Sequence, residues 1–401
     1  MSAPEFRELD PPNRLLMGPG PANVHPRVLR AMSLPPIGYL DPELLKILDE
    51  VMELLRQVFR TKNYLTFPIS GTGTAGMEAA LYNLLEPGDV AVVGINGYFG
   101  GRMAEMASRC GARVVTVEAE WGKAIEPGDI ASALNKEGKV KLVSVVHAET
   151  STGVLQPLEE IGRLARAHEA LFLVDAVTSL GGSQLSVDEW GVDVCYSGVQ
   201  KCVGCPPGLS PITLSQRAWE AVRARGSKVQ SWYLDLTLLE KYWGKERIYH
   251  HTVPMNMIYA LHEALRMALE EGLEARIARH HRNASALRAG LEAMGLGLFA
   301  SPEVRADPLT SVLVPDGVEE LAVRRRLLED FGIEIGGGLG HLRGRVWRIG
   351  LMGETSRESN VLLFLSALER VLAKGGYKTS PGAGVLAAQR VYASSENSSR
   401  N

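Results

Sequence analysis

The sequence predicts an α/β protein, with a mostly parallel central sheet in a large domain and a smaller α/β domain after it. Short β-branched apolar runs at 90–94, 113–118, 140–148 and 171–174 alternate with stretches of helical spacing, the strand, helix, strand repeat of a parallel sheet. Two apolar runs, 171–174 and 192–196, lead into residues that no core would choose, Asp175 and Lys201. Ligands of such sheets collect outside the carboxyl ends of the strands, so this acid and this lysine could face one ligand.

Residues 1–20 read as an N-terminal arm, polar and proline-bearing at first, then irregular through Gly18, Pro19, Gly20 and Pro21. Over 41–59 the positions Leu44, Leu45, Leu48, Val51, Met52, Leu55 and Val58 follow helical spacing. A strand at 64–69 leads into Ser70, Gly71, Thr72, Gly73 and Thr74, which open a helix to about residue 85. Glycines and hydroxyls at a helix start leave backbone N–H groups and the positive dipole end exposed, which suits a phosphate and equally an ordinary cap. After a turn at 85–89 and the strand at 90–94, residues 96–101 read as a loop holding Phe99, a ring that could stack on a ligand or simply join the core.

The strands at 113–118 and 140–148 enclose a helix from about residue 129, and the second delivers His147, Glu149 and Thr150 to its carboxyl end. There His147 reads as a hydrogen-bonded core group. An amphipathic helix at 158–170 returns to the strand carrying Asp175. Beyond Lys201, Pro206, Pro207 and Gly208 break the chain before a strand at 210–215 and a helix at 217–225. The aromatic-rich segment 231–254 reads as core, lid or subunit contact, and its His250 and His251 are expected on opposite faces of extended backbone, which argues against a metal pair.

Helical spacing resumes from 254 to about 294, with breaks, and the large domain, 21–271, is expected to end near Gly272. The small domain, 272–375, reads as strand 311–314, helix 319–331, strand 333–335, glycine-rich loop 336–344, strand 345–351 and helix 357–373. That loop lacks the strand-glycine-helix setting of a dinucleotide site. Residues 376–401 read as a flexible tail.

At 401 residues, 45% hydrophobic and 22% charged, the composition is that of a globular protein. A net charge of -3 with no basic block beyond Arg324 to Arg326 argues against nucleic acid as a partner. No apolar stretch is long enough to span a membrane, and the N-terminus lacks the features of a secretory signal. The cytoplasm is the default expectation. The terminal Ser399, Arg400 and Asn401 approach a peroxisomal address without matching it. Four cysteines are too few and too irregular for a disulfide framework, and the Cys202, Cys205 pair has no partner ligands for a zinc site, so no metal is expected.

A lysine and an aspartate at neighbouring strand ends suit pyridoxal phosphate: the amine forms a Schiff base with the aldehyde, and the carboxylate keeps the ring nitrogen protonated. The segments LLMGPGP, SGTGTAGMEAAL, LEPGD, ETSTGVLQPL, VDAVTSLGG, YSGVQKCVGCPPG, YHHTVP and WRIGLMG, in this order from about Leu15 to Leu372, resemble the serine-pyruvate and alanine-glyoxylate aminotransferases, a branch of the class V aminotransferases.

The resemblance implies fold type I of the pyridoxal phosphate-dependent transferases, a homodimer, and small amino and keto acids as substrates. It implies Lys201 and Asp175 as catalytic residues and Thr72, Gly73 and Thr74 at the cofactor phosphate. Relatives often carry histidine at Thr74 and tryptophan at Phe99, the implied stacking ring. Val177 and Gln200 are implied beside the cofactor, with the Thr150 hydroxyl at its phenolic oxygen. Tyr249 and Thr252 are implied to reach the neighbouring subunit's phosphate. Gly20, Thr150 and Arg348 are implied at the substrate, with Arg348 gripping its α-carboxylate. Relatives occur in peroxisomes, mitochondria or the cytosol. The expected reaction moves an amino group from alanine or serine to glyoxylate or pyruvate. Its nearest rival uses a larger donor, 3-hydroxykynurenine or ureidoglycine, with glyoxylate. A cysteine desulfurase would need a thiol on a mobile loop. A nucleotide-binding oxidoreductase lacks its glycine fingerprint, and the Lys201 and Asp175 pair speaks against a non-catalytic binding module.

Overall fold

The computed structural model describes residues 8–398; the start of the arm and the terminal tripeptide lie outside the described residues. The arm's Leu15–Leu16 (β1) is followed by the helix Pro26–Met32 (α1) and by Pro42–Phe59 (α2). Asp41 caps α2 by accepting the N–H of Glu43, and Leu44, Leu48, Val51, Met52, Leu55 and Val58 bury one stripe of it. Strand Leu65–Ser70 (β2) and helix Gly73–Leu84 (α3) open the large sheet, followed by Val90–Ile95 (β3), Tyr98–Arg109 (α4), Arg113–Glu118 (β4) and Pro127–Glu137 (α5). Leu142–Val146 (β5) leads through a small ladder, Ala148–Glu149 (β6) with Val154–Leu155 (β7), to Glu159–Ala167 (α6) and Leu171–Asp175 (β8). Val194–Tyr196 (β9) and Leu209–Leu214 (β10) complete the sheet, and Gln216–Arg223 (α7), Leu236–Trp243 (α8) and Met255–Glu271 (α9) follow.

The sheet order is β2-β10-β9-β8-β5-β3-β4. Only β10 runs against its neighbours; the other pairings are parallel. From β3 the chain moves to β4 on one side and later to β5 on the other, so the strand order reverses there. A crevice outside the carboxyl ends follows from that reversal.

After Gly272, helix Leu273–Ala293 (α10) enters the smaller unit. Its strands Leu309–Leu313 (β11), Gly336–Gly337 (β13) and Val346–Gly350 (β14) form a three-stranded antiparallel sheet, with Glu320–Phe331 (α11) and Ile333–Glu334 (β12) between β11 and β13. Helix Glu358–Lys374 (α12) follows β14. Apolar side chains from Val28 to Leu265 join one core, and those from Ala286 to Tyr392 join a second that also takes Met17. The arm thus belongs physically to the small unit, through Met17 and the parallel pairing of β1 with β12.

Three expectations are corrected. Within the expected flexible tail, 376–401, the described part to Ser398 is not simply flexible, because Ala383–Ser398 forms a helix (α13) that buries Ala388 and Tyr392, with the Tyr392 hydroxyl donating to Asn283 at 2.9 Å. The glycines around residue 382 mark a turn, and the short apolar stripe beyond them fills a groove on α10. Residues 96–101 are not all loop, since α4 already begins at Tyr98. Gly100 reads as a loop residue but serves contact: a Cβ there would stand 3.0 Å from the Gly94 carbonyl oxygen and Ile95 Cα. His250 and His251 do not diverge; their Nδ1 atoms are 2.9 Å apart, and burial lowers both pKa values, that of His251 to about 4. Among the described residues no helix is long and apolar enough to cross a membrane.

Candidate active site

The β8 strand ends on Asp175, and register places Asp175 beside Val146 of β5 and Tyr196 of β9. Burial pushes the Asp175 carboxyl up to about 6, while the Val177 N–H and the Tyr196 hydroxyl, each donating at 2.8 Å, pull it back. Five residues beyond Tyr196, Lys201 enters the same cavity, which holds about 250 Å³. Its amine donates to the Pro19 carbonyl, and Gly20, at φ 104°, passes so close that a Cβ would overlap the Lys201 amine. Burial first, then the positive Arg348, brings the amine down to about 8. A lysine so tuned supplies free amine near neutral pH, which nucleophile and base chemistry both need.

Around this pair the cavity is lined by Thr72, Gly73 and Thr74 at the start of α3, by Phe99 and Arg102 of α4, and by Thr150, Val177 and Gln200. Thr72 caps α3 without hydrogen-bonding to it through its side chain. The sequence-predicted residues of one subunit's cofactor site thus meet in one place. Arg348, on β14, stands behind Thr150: its Nε donates to the Gly337 carbonyl at 2.6 Å and its Nη1 to the Thr150 carbonyl at 3.2 Å. Among the described residues no carboxylate forms an ion pair with it, and burial lowers its pKa to about 10 although the charge of the buried Glu149 favours the guanidinium. Tyr249 and Thr252 do not line this cavity; they lie on the surface with their oxygens 3.4 Å apart.

Three residues to which the sequence assigned no role belong to the site. Tyr196 holds Asp175, and as the last apolar-looking residue of β9 its only signal is its place one strand from the acid. Glu149, fully buried, accepts the N–H groups of Phe99 at 2.9 Å and Gly100 at 3.2 Å and so fixes the first turn of α4. A carboxylate inside an otherwise buried stretch was the legible signal. Arg102 lines the cavity from the next turn of α4. His147, by contrast, is a buried neutral group 2.9 Å from the Ser179 hydroxyl, pushed down to about 3. Cys202 and Cys205 are buried thiols raised by desolvation, Cys202 to about 12.

A flat aldehyde with a phosphate fits these residues. The cavity sets a buried acid and a lysine near hydroxyls and a helix start, and Gln200 Oε1 is buried there with no hydrogen-bond partner among the described residues. The fold and this site define a pyridoxal phosphate-dependent transferase. The class-V aminotransferase family matches residues 37–347, and the chain belongs to that family. It is 43% identical to an (S)-ureidoglycine–glyoxylate transaminase of Bacillus subtilis over 98% of each chain. It is 42% identical to an alanine–glyoxylate aminotransferase of Drosophila melanogaster, covering 93% of this chain and 96% of the relative. A crystal structure of an alanine–glyoxylate aminotransferase from Nostoc sp. superposes with a TM-score of 0.90 at 51% identity, covering 92% of this chain and 97% of that one. The protein is therefore a pyridoxal phosphate-dependent transaminase acting on amino and keto acids.

Proposed function

We propose that the chain moves the amino group of a small donor, alanine or serine, to glyoxylate or pyruvate. The small donor is supported by the alanine–glyoxylate relatives, and amino and keto acids as substrates are supported by Arg348, a buried guanidinium with no ion-paired carboxylate among the described residues, behind Thr150 and close enough to Lys201 to lower its pKa. Such a group accepts an α-carboxylate by two parallel hydrogen bonds and so orients the Cα–H bond. When bound, pyridoxal phosphate supplies an aldehyde for the substrate nitrogen and a ring that accepts the electrons of Cα.

In this reading Lys201 would hold the cofactor aldehyde and, as general base and acid, would take the proton from the substrate Cα and return it on the far side of the substrate nitrogen. Asp175 keeps the ring nitrogen protonated, and Tyr196 and Val177 N–H hold that carboxylate still. Of the residues lining the cavity, Phe99 and Val177 would hold the faces of the ring, Thr150 and Gln200 would meet its polar edge, and Thr72, Gly73 and Thr74 would receive the phosphate. Gly20 gives room beside Lys201. Tyr249 and Thr252 complete the site of the other subunit of a homodimer, which their exposure in a single chain supports.

A second reading keeps the machinery and enlarges the donor. It is favoured by the ureidoglycine relative, as similar to this chain as the alanine one. Rates with alanine, serine, ureidoglycine and 3-hydroxykynurenine against glyoxylate decide between them. Fastest turnover with alanine or serine supports the first reading, and preference for a larger donor overturns it.

A further inference from the structure

Arg102 begins the second turn of α4 with its guanidinium carbon 4.8 Å from the centre of the Phe99 ring and 5.4 Å from that of Tyr98. Its Nη1 donates to the Thr74 hydroxyl at 3.3 Å. Arg109, farther along the same helix, pairs with Glu105, as most arginines here find an acid. Among the described residues Arg102 has no such ion pair, although it lines the cavity. Its charge reaches inside far enough to act on the Tyr196 hydroxyl.

The cavity is therefore polarised. At the strand ends stands the buried acid Asp175; at the start of α3 stand two neutral threonines, backbone N–H groups and this one guanidinium. A ligand that is cationic where it meets Asp175 and anionic where it meets Thr74 matches that field. Hydroxyls and a helix start offer donors but only partial charge, so they do not balance a dianion by themselves.

We propose that Arg102 is the counter-charge of the cofactor's phosphoryl group in this chain and sets its preference for phosphorylated over unphosphorylated pyridoxal. This rests on the transaminase reading above. The guanidinium has two functions in one place: its carbon stands over the Phe99 ring and its Nη1 donates to the Thr74 hydroxyl. Phosphate binding and ring stacking are thereby coupled through one side chain.

The test compares pyridoxal phosphate with pyridoxal, which has the aldehyde and ring but no phosphate. Equilibrium titration of cofactor-free protein, read by absorption and tryptophan fluorescence, gives a dissociation constant for each. In Arg102→Gln the constant for pyridoxal phosphate should rise by about ten- to a hundredfold, as expected for a lost charge-assisted hydrogen bond, while that for pyridoxal stays within about twofold. Arg102→Lys should recover most of the loss, and raising the salt should narrow the gap between wild type and Arg102→Gln. Equal losses for both ligands would make Arg102 a support of the Phe99 ring only, and no loss for either would make it a surface residue; both overturn the proposal. A wild-type protein that binds neither ligand would instead overturn the transaminase reading.

Discussion

Tyr196 donates a 2.8 Å hydrogen bond to Oδ2 of Asp175 from the directly paired position on the next strand. That bond favours the ionised acid against a burial that pushes it up to about 6. Without it, in Tyr196→Phe, the acid should titrate about one pH unit or more higher, the worth of one hydrogen bond to a charged group. Because only the carboxylate pairs with a protonated ring nitrogen, cofactor affinity should fall as pH drops through this titration. Affinity against pH should break near 6 in the wild type and distinctly higher in Tyr196→Phe. Coincident curves would mean that Tyr196 only packs.

Asp175→Asn should separate stability from activity. With a folded pKa of about 6 against an ordinary 3.8, the folded chain keeps this proton between those values while the unfolded chain has lost it. Stability from the group therefore falls as pH rises through that window, by roughly 3 kcal/mol in all. An amide carries no such cost. The cofactor-free variant should melt near the wild type at pH 4 and above it at pH 7, while turnover drops at least about a hundredfold. A variant that melts lower at pH 7 would show that the bonds from Tyr196 and Val177 outweigh the buried charge.

The strand ends were legible because polar residues interrupt apolar runs there, and Asp175 and Lys201 stand at such interruptions. Thr72 to Thr74 were legible from glycines and hydroxyls opening a helix. Tyr196 was not, since an aromatic ending an apolar strand reads as core, and nothing in one dimension reveals its neighbour across the ladder. Arg102 was hidden because Gly97, Gly100 and Gly101 suggest a loop, where an arginine is ordinarily solvated; Gly100 instead lets the helix press against β3. The helix α13 was hidden for a related reason: its stripe is short, and only the groove on α10 makes it worth burying. Local pattern carried the sheet and the acid-lysine pair, and contacts distant in sequence supplied the rest.

Arg348 has two separable effects. Arg348→Lys keeps the charge but loses the paired donors that now reach Gly337 and Thr150, so the Michaelis constants for both amino and keto acids should rise about tenfold or more. Arg348→Gln removes the charge as well. The Lys201 amine, now at about 8, should then titrate higher, because the neighbouring cation no longer disfavours its protonated form. The free amine is the reactive form, so cofactor capture by the empty protein should speed up with pH and level off above about 8 in wild type, at higher pH in Arg348→Gln, and unshifted in Arg348→Lys. Normal substrate constants with an early melt would place Arg348 in the fold alone.

The surface loop after α8 gives the last test. His251 bonds the Ser70 hydroxyl at 2.7 Å, just before the turn that opens α3, so the loop is anchored beside its own chain's phosphate turn. Yet Tyr249 and Thr252 on that loop stay outside their own cavity, and Tyr249 is 51% exposed beside Tyr39. If both serve a neighbour, the protein sediments as a dimer, and two defective chains should repair each other. Lys201→Ala supplies a sound loop, and a Tyr249→Phe, Thr252→Ala chain supplies a sound lysine. Each alone should be inactive or bind cofactor weakly. Random reassortment makes half of the dimers mixed, with one complete site each, so refolding the two together should restore about a quarter of wild-type activity at limiting cofactor. Were the two hydroxyls to act within their own chain, no mixture would contain a complete site, and activity would stay at the sum of the separate variants.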